Sequence, residues 1–244
     1  PCVQQLNGAV VTIGYRPEID GLRTVAVLSV IVYHAEFALA GHSMLSGGFF
    51  GVDIFFVISG YLITSLIMSE LYDSGRFSLL NFYERRARRL LPALLVVMLS
   101  SIVAAWNILL PAQLVDFSKS LVASLFFVSN FYWDFTLQEY GAESALLKPF
   151  LHTWSLAVEE QYYLVFPFLL LAIYRWSREQ VRVLLLAAML ISFLFAVWFT
   201  SFNAASSFYM LSSRFWELLA GAVLASIQYR YPAKRSIALL NHTL

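Results

Sequence analysis

The chain has 244 residues, of which 60% are hydrophobic and 13% charged, with a net charge of +1. Soluble domains carry about a quarter charged residues, so this balance excludes an ordinary water-soluble fold, and the near-neutral charge gives no footing for a nucleic-acid partner. The single cysteine, Cys2, excludes an internal disulfide, and the four histidines show no ligand spacing, so no metal is expected.

The apolar residues come in runs, and a helix crossing the hydrocarbon needs roughly 20 of them. The first run, 22–40, carries Arg23 and His34. Eleven residues at about 100° each bring both side chains to one helix face, about 16 Å apart along the axis. Arg23 is then expected near one mouth of the span and His34 at about mid-bilayer. Ionisable groups at such depth mark functional sites, and histidine takes and releases protons near neutral pH. The same ring also serves as neutral packing between helices. Asp20, three residues before Arg23, is placed to pair with it, and a snorkelling arginine is the plainer alternative.

The second run, 49–68, is flanked or interrupted by Gly47, Gly48, Gly51 and Gly60, which permit close helix approach, and carries Asp53 at its outer part. An amphipathic cytoplasmic helix follows, with Arg85, Arg86, Arg88 and Arg89 beside the third run, 91–110. Four guanidiniums in this spacing suit bidentate phosphate binding, and equally suit anchoring against anionic lipid. The aromatic-rich run 121–135 is short for a crossing. Next comes His152-Thr153-Trp154-Ser155-Leu156-Ala157-Val158-Glu159-Glu160-Gln161 at the start of 154–174. Thr153 or Ser155 can cap this helix, with the carboxylates near its positive end. The density of His152, Glu159, Glu160 and Gln161 also resembles a polar substrate site, with Trp154 suited to a sugar face and Asp53 joining it. Runs 181–199 and 208–227 complete the set, the last opening on the i,i+3 pair Arg214 and Glu217.

Counting Lys and Arg in the short loops puts the N-terminus in the cytoplasm. Every basic cluster falls on that side if 121–135 is re-entrant rather than spanning. The expected fold is all-α: a polytopic membrane helical bundle with six spans and one re-entrant segment. No soluble domain, repeat or low-complexity tract is visible, and the start at Pro1 without Met reads as a fragment.

Four blocks in order resemble the acyltransferase-3 family of membrane acyltransferases. They are Tyr15-Arg16-Pro17-Glu18-Ile19-Asp20-Gly21-Leu22-Arg23 followed after ten residues by His34; Gly51-Val52-Asp53-Ile54-Phe55-Phe56-Val57-Ile58-Ser59-Gly60-Tyr61-Leu62-Ile63; Arg85-Arg86-Ala87-Arg88-Arg89; and His152-Thr153-Trp154-Ser155-Leu156 running into Glu159-Glu160-Gln161. The resemblance covers nearly the whole chain. It implies an O-acyltransferase of the bacterial inner membrane, moving an acyl group, typically acetyl, from cytoplasmic acetyl-CoA or another acyl-CoA to a hydroxyl of an envelope glycan. That glycan is lipopolysaccharide O-antigen, peptidoglycan or exopolysaccharide. It further implies His34 as the essential histidine, Arg23 as its paired arginine and the arginine run as the donor site. Residues 1–244 would then be the N-terminal part of one domain of about ten spans, in the subgroup that continues into an SGNH hydrolase-like domain. On the residues alone, a proton-coupled transporter of a small polar solute or acyl group also accounts for the intramembrane charges.

Overall fold

Pro17, which has no N–H to lose, occupies the first turn of helix α1 (Pro17–His34), and Glu18 and Asp20 follow at its positive end. The computed structural model describes residues 16–35, 45–137 and 148–230, with two-residue antiparallel strand pairs at Gln5–Leu6 with Ala9–Val10 and Ala38–Leu39 with His42–Ser43. A 3-10 turn, Gly48–Phe50, leads into α2 (Gly51–Ser74). Gly75 closes α2 in the left-handed conformation at φ 69°, its N–H on the Leu71 carbonyl. Then come α3 (Leu79–Ile108), α4 (Pro111–Leu125), α5 (Ser129–Leu137), α6 (Thr153–Trp176), α7 (Val181–Phe202), α8 (Ala204–Tyr209) and α9 (Leu211–Arg230).

Among the described residues, five stretches are long and apolar enough to cross a membrane: Gly48–Ser74, Leu79–Ile108, Thr153–Trp176, Arg178–Phe202 and Ala204–Gln228. Their outward side chains, among them Val96, Val103, Trp106, Ile191 and Leu194, are exposed as a lipid-facing surface requires. The architecture is the expected all-α membrane bundle. Its boundaries differ from the sequence reading in three places. Helix α1 ends at His34 instead of running on to residue 40, and its three charges keep it out of the apolar set. The amphipathic segment before 91–110 is one helix with it, α3, because Pro92 removes a single backbone bond without breaking the axis. The run 121–135 is two helices, roughly 22 and 13 Å long at 1.5 Å per residue, each too short to cross.

The described chain divides into two compact units. One gathers Pro1–Arg76, Leu169–Ser192 and Phe215–Leu244. In it α1 and α2 touch backbone to backbone: a Cβ on Gly48 would overlap the Ser29 carbonyl, and one on Gly51 the Ala26 carbonyl. The glycines of α2 and α9 interlock in the same way, Gly60 against the Leu218 carbonyl and Gly221 against that of Val57. Small residues matter here because lipid supplies no hydrophobic drive, leaving close van der Waals contact to hold helices together. Arg16 ties the start of α1 to α2 by donating to the Tyr61 hydroxyl at 3.2 Å, and that hydroxyl donates to Gln228 of α9.

The other unit holds Phe77–Phe168 and Phe193–Arg214. Helix α4 closes in a Schellman pattern, Val128 N–H to Ala123 at 2.8 Å and Phe127 N–H to Ser124 at 3.2 Å. Phe127 takes the left-handed position at φ 54°, where glycine is usual. The freed Phe127 carbonyl accepts from the Gln161 amide of α6 at 2.8 Å. A second break, at Met210 between α8 and α9, is closed likewise: Asn130 donates to the Tyr209 carbonyl at 3.2 Å and Arg214 to that of Phe208 at 3.2 Å. Pro167 frees a third carbonyl inside α6, and the Tyr83 hydroxyl lies 3.4 Å from Tyr163 O and 3.0 Å from Leu164 O.

The glycine contact of α2 with α9 makes one stability prediction. Gly60→Ala is expected to lower stability by about 1–3 kcal/mol, the usual effect of overpacking, and to lower the thermal midpoint in detergent. Gly21→Ala, at a position with open space around it, serves as the control and leaves the midpoint near wild type.

Candidate functional site

The first group of expected residues lies on α1 and α2. Arg23 is half-buried and ion-paired with Asp20 at 3.6 Å, as the i,i+3 spacing suggests. At the N-terminal edge, the Arg16 guanidinium bonded to Glu18 holds that exposed carboxyl below its ordinary range. His34 is the last residue of α1 and is exposed, not midway along a span. The reason is the helix boundary: α1 starts five residues before the expected run and stops at His34. The ring is edge-on to Tyr33 at 5.1 Å between centroids, and its Nδ1 sits 2.9 Å from the Val30 carbonyl. A carbonyl only accepts, so Nδ1 carries the proton and Nε2 is the bare, basic nitrogen of the neutral ring. Asp53 falls in the first turn of α2. Since Gly48 meets Ser29 and Gly51 meets Ala26, α2 runs antiparallel to α1, and Asp53 lies near the depth of Arg23.

The second group lies on α3 and α6. The sequence reading sets the arginine run at the cytoplasmic end of one helix and Glu159 and Glu160 at the outer end of another. The structure brings them together instead: Arg86 Nη2 donates to Glu160 Oε1 at 2.7 Å, with side-chain exposures of only 27% and 15%. The Arg86 guanidinium also lies 3.5 Å from the centroid of the Tyr163 ring, and the Tyr163 hydroxyl donates to Glu159. One arginine, two carboxylates and one tyrosine thus form a single network in this unit. Charges so far out of water persist only when paired, which is why Arg86 turns inward. The other arginines differ. Arg85 is half-buried, Arg89 is exposed, and Arg88 is 79% exposed with an i,i+4 bond to Glu84 at 2.6 Å. Arg88 and Arg89 thus face solvent, whereas Arg85 is partly enclosed and Arg86 is committed to Glu160.

His152 and Trp154 stand at the start of α6. His152 is exposed, with its ring 6.4 Å from that of Phe150. Trp154 is buried, its ring 4.6 Å from Phe208 and 5.6 Å from Tyr209, with the Arg214 guanidinium 6.0 Å away. Thr153 fastens this end of α6 to α4, its hydroxyl 2.7 Å from that of Ser124. Tyr163 and Asn130 were not singled out from the sequence. The Glu159–Tyr163 contact carries an i,i+4 signal that could have been found; Asn130 carries none, since its partners Gln161 and Tyr209 are far along the chain. Among the described residues no three His, Cys, Asp or Glu side chains gather closely enough to hold a metal ion.

The model of the acyltransferase domain family matches residues 16–241. O-acetyltransferase OatA of Staphylococcus aureus (strain NCTC 8325) is 36% identical over 228 residues, 92% of this chain and 36% of that protein. Peptidoglycan O-acetyltransferase OatA of Listeria monocytogenes serovar 1/2a is 37% identical over 219 residues, 87% of this chain and 34% of that protein. The chain therefore spans about a third of the length of these curated relatives. No solved structure matches it. A family match over nearly the whole described bundle, on the helices that carry His34, the arginine run and the glutamate pair, establishes that this multi-pass helical membrane protein belongs to the acyltransferase-3 family.

Proposed function

We propose that the chain carries transfer machinery of a membrane O-acyltransferase, which moves an acetyl group from acetyl-CoA to a hydroxyl of an extracytoplasmic envelope glycan. Peptidoglycan is the first acceptor to test, because a relative bears that substrate in its name. In this reading the protein sits in the bacterial inner membrane with its N-terminus cytoplasmic. The Lys and Arg bias of the short loops supports that orientation.

The observation that carries the proposal is the hydrogen bond from His34 Nδ1 to the Val30 carbonyl, which leaves Nε2 as the basic atom at an exposed helix end. Nε2 can remove the acceptor hydroxyl proton as the oxygen attacks the thioester carbonyl. The tetrahedral oxyanion then expels the CoA sulfur, and the proton on Nε2 passes to that thiolate. The same atom can instead attack the thioester itself, release CoA and hold the acetyl group until the hydroxyl displaces it. Arg23, about 16 Å along the helix from His34, is too far to touch the reacting carbonyl and is assigned to the donor's path. Arg85, Arg88 and Arg89 are assigned to the CoA phosphates, which guanidiniums bind bidentately. The proposal gives Arg86 and Glu160 the role of fixing α3 against α6.

Two measurements follow. In cells expressing the protein at full length at matched membrane levels, His34→Ala is expected to lower glycan O-acetylation by about 100-fold or more, the usual range for losing a general base or nucleophile. Acetylation at the wild-type level would remove His34 from the mechanism. The arginines separate by what each variant changes. Arg88→Ala with Arg89→Ala is expected to raise the KM for acetyl-CoA and leave the thermal midpoint in place. Arg86→Gln is expected to cost about 2–4 kcal/mol of stability by stranding Glu160, with Arg86→Gln/Glu160→Gln recovering part of the loss.

A further inference from the structure

A pocket lies at the end of α3, between that helix end, α4 and α5. It encloses about 40 Å³ and is lined by Gln113, Asp116, Phe117, Ser120, Trp133 and Lys148, among others. That volume holds a few groups the size of a water molecule, not a whole sugar ring. Lys148 is unusual among lysines in being nearly fully enclosed, with its side chain 9% exposed. Its Nζ stands 3.9 Å from Asp116 Oδ2, and Lys119 Nζ stands 3.9 Å from Asp116 Oδ1. Charge-assisted hydrogen bonds between such groups run about 2.7–2.9 Å. At 3.9 Å the two groups form an ion pair without a direct hydrogen bond, and a hydroxyl seated beside both can accept from the ammonium and donate to the carboxylate.

We propose that this pocket receives hydroxyl groups of the acceptor sugar, as a glycan-binding subsite of the transferase described above, on which the inference rests. The chemistry selects the ligand class. A hydroxyl is donor and acceptor at once, matching an ammonium and a carboxylate held on either side of it. Gln113 turns its carbonyl to the Leu110 N–H at 3.1 Å, so its amide NH2 remains to donate into the pocket. A phosphate would meet the Asp116 carboxylate, and an acyl chain would have to desolvate both charges. Phe117 and Trp133 form an apolar wall behind these polar groups. That wall is rigid: Trp133 is 1% exposed and donates to the Phe150 carbonyl at 3.1 Å. The Tyr132 hydroxyl, 3.3 Å from the Asp116 carbonyl, holds the backbone beneath the carboxylate. Phe150 continues the wall to the exposed ring of His152.

Position agrees with chemistry. Arg86, in the second turn of α3, and Ile108, its last residue, are about 33 Å apart at 1.5 Å per residue, close to the hydrocarbon thickness of a bilayer. With the arginine run on the donor side, the pocket opens on the side where an extracytoplasmic glycan is found.

The test is direct binding, without donor, of a soluble peptidoglycan fragment to the purified full-length protein, wild type against Asp116→Asn and Lys148→Met. Asp116 is half-exposed, so Asp116→Asn keeps the test alive should Lys148→Met fail to fold. Both variants are expected to weaken the fragment Kd at least tenfold. A Kd within twofold of wild type for Asp116→Asn, or no binding by the wild type, overturns the subsite. Release of CoA from acetyl-CoA by the wild type is followed separately. Its absence would count against the acyltransferase reading whatever the fragment Kd.

Discussion

A backbone carbonyl released from a helix inside a bilayer has no water to accept from, and an unmet group there costs several kcal/mol. This protein releases such carbonyls repeatedly in the unit built on α3 to α6. Pro167 frees one within α6, the left-handed turn at Phe127 frees another, and the break at Met210 frees those of Phe208 and Tyr209. Each has a side-chain donor within reach: Tyr83 for Tyr163 O, Gln161 for Phe127, Arg214 for Phe208 and Asn130 for Tyr209. Broken helices are therefore tolerable here because distant residues supply the missing hydrogen bonds. The same donors cross-link the helices, so the breaks add rigidity instead of removing it.

Charge obeys the same rule. Arg86 leaves its neighbours in the basic run and turns to Glu160 because a half-buried carboxylate and a half-buried guanidinium each need the other. The stack on Tyr163, and that ring's hydroxyl on Glu159, extend one ion pair into a four-residue network. Such a network is weak evidence for stability gained, since an apolar substitute of equal volume often does as well. Its value lies in register: it fixes which turn of α3 faces which turn of α6.

Two polar groups outside these networks carry the proposed chemistry. His34 ends its helix exposed, with one nitrogen committed to Val30 and the other outward. Asp116 and Lys148 stand at 3.9 Å, a spacing suited to a third group. Both places pair a fixed backbone with a polar side chain whose geometry leaves a defined atom to act.

Much of this was legible in the sequence. Composition and run length gave a helical membrane bundle, because the bilayer sets the length of a crossing and demands internal backbone bonding. Period alone put Arg23 and His34 on one face and Asp20 beside Arg23, since those relations lie within one helix. The four motif blocks pointed to the family now established. What periodicity could not give was the axial offset between helices. That offset decides that Arg86 meets Glu160, that Gln161 reaches Phe127, and that Asp116 and Lys148 share a pocket. Nor could it place the end of α1 at His34, because the apolar run continues past it and only the fold stops the helix there. Local geometry follows from the order of side chains along one axis; contacts between axes depend on packing, which the tertiary structure alone decided.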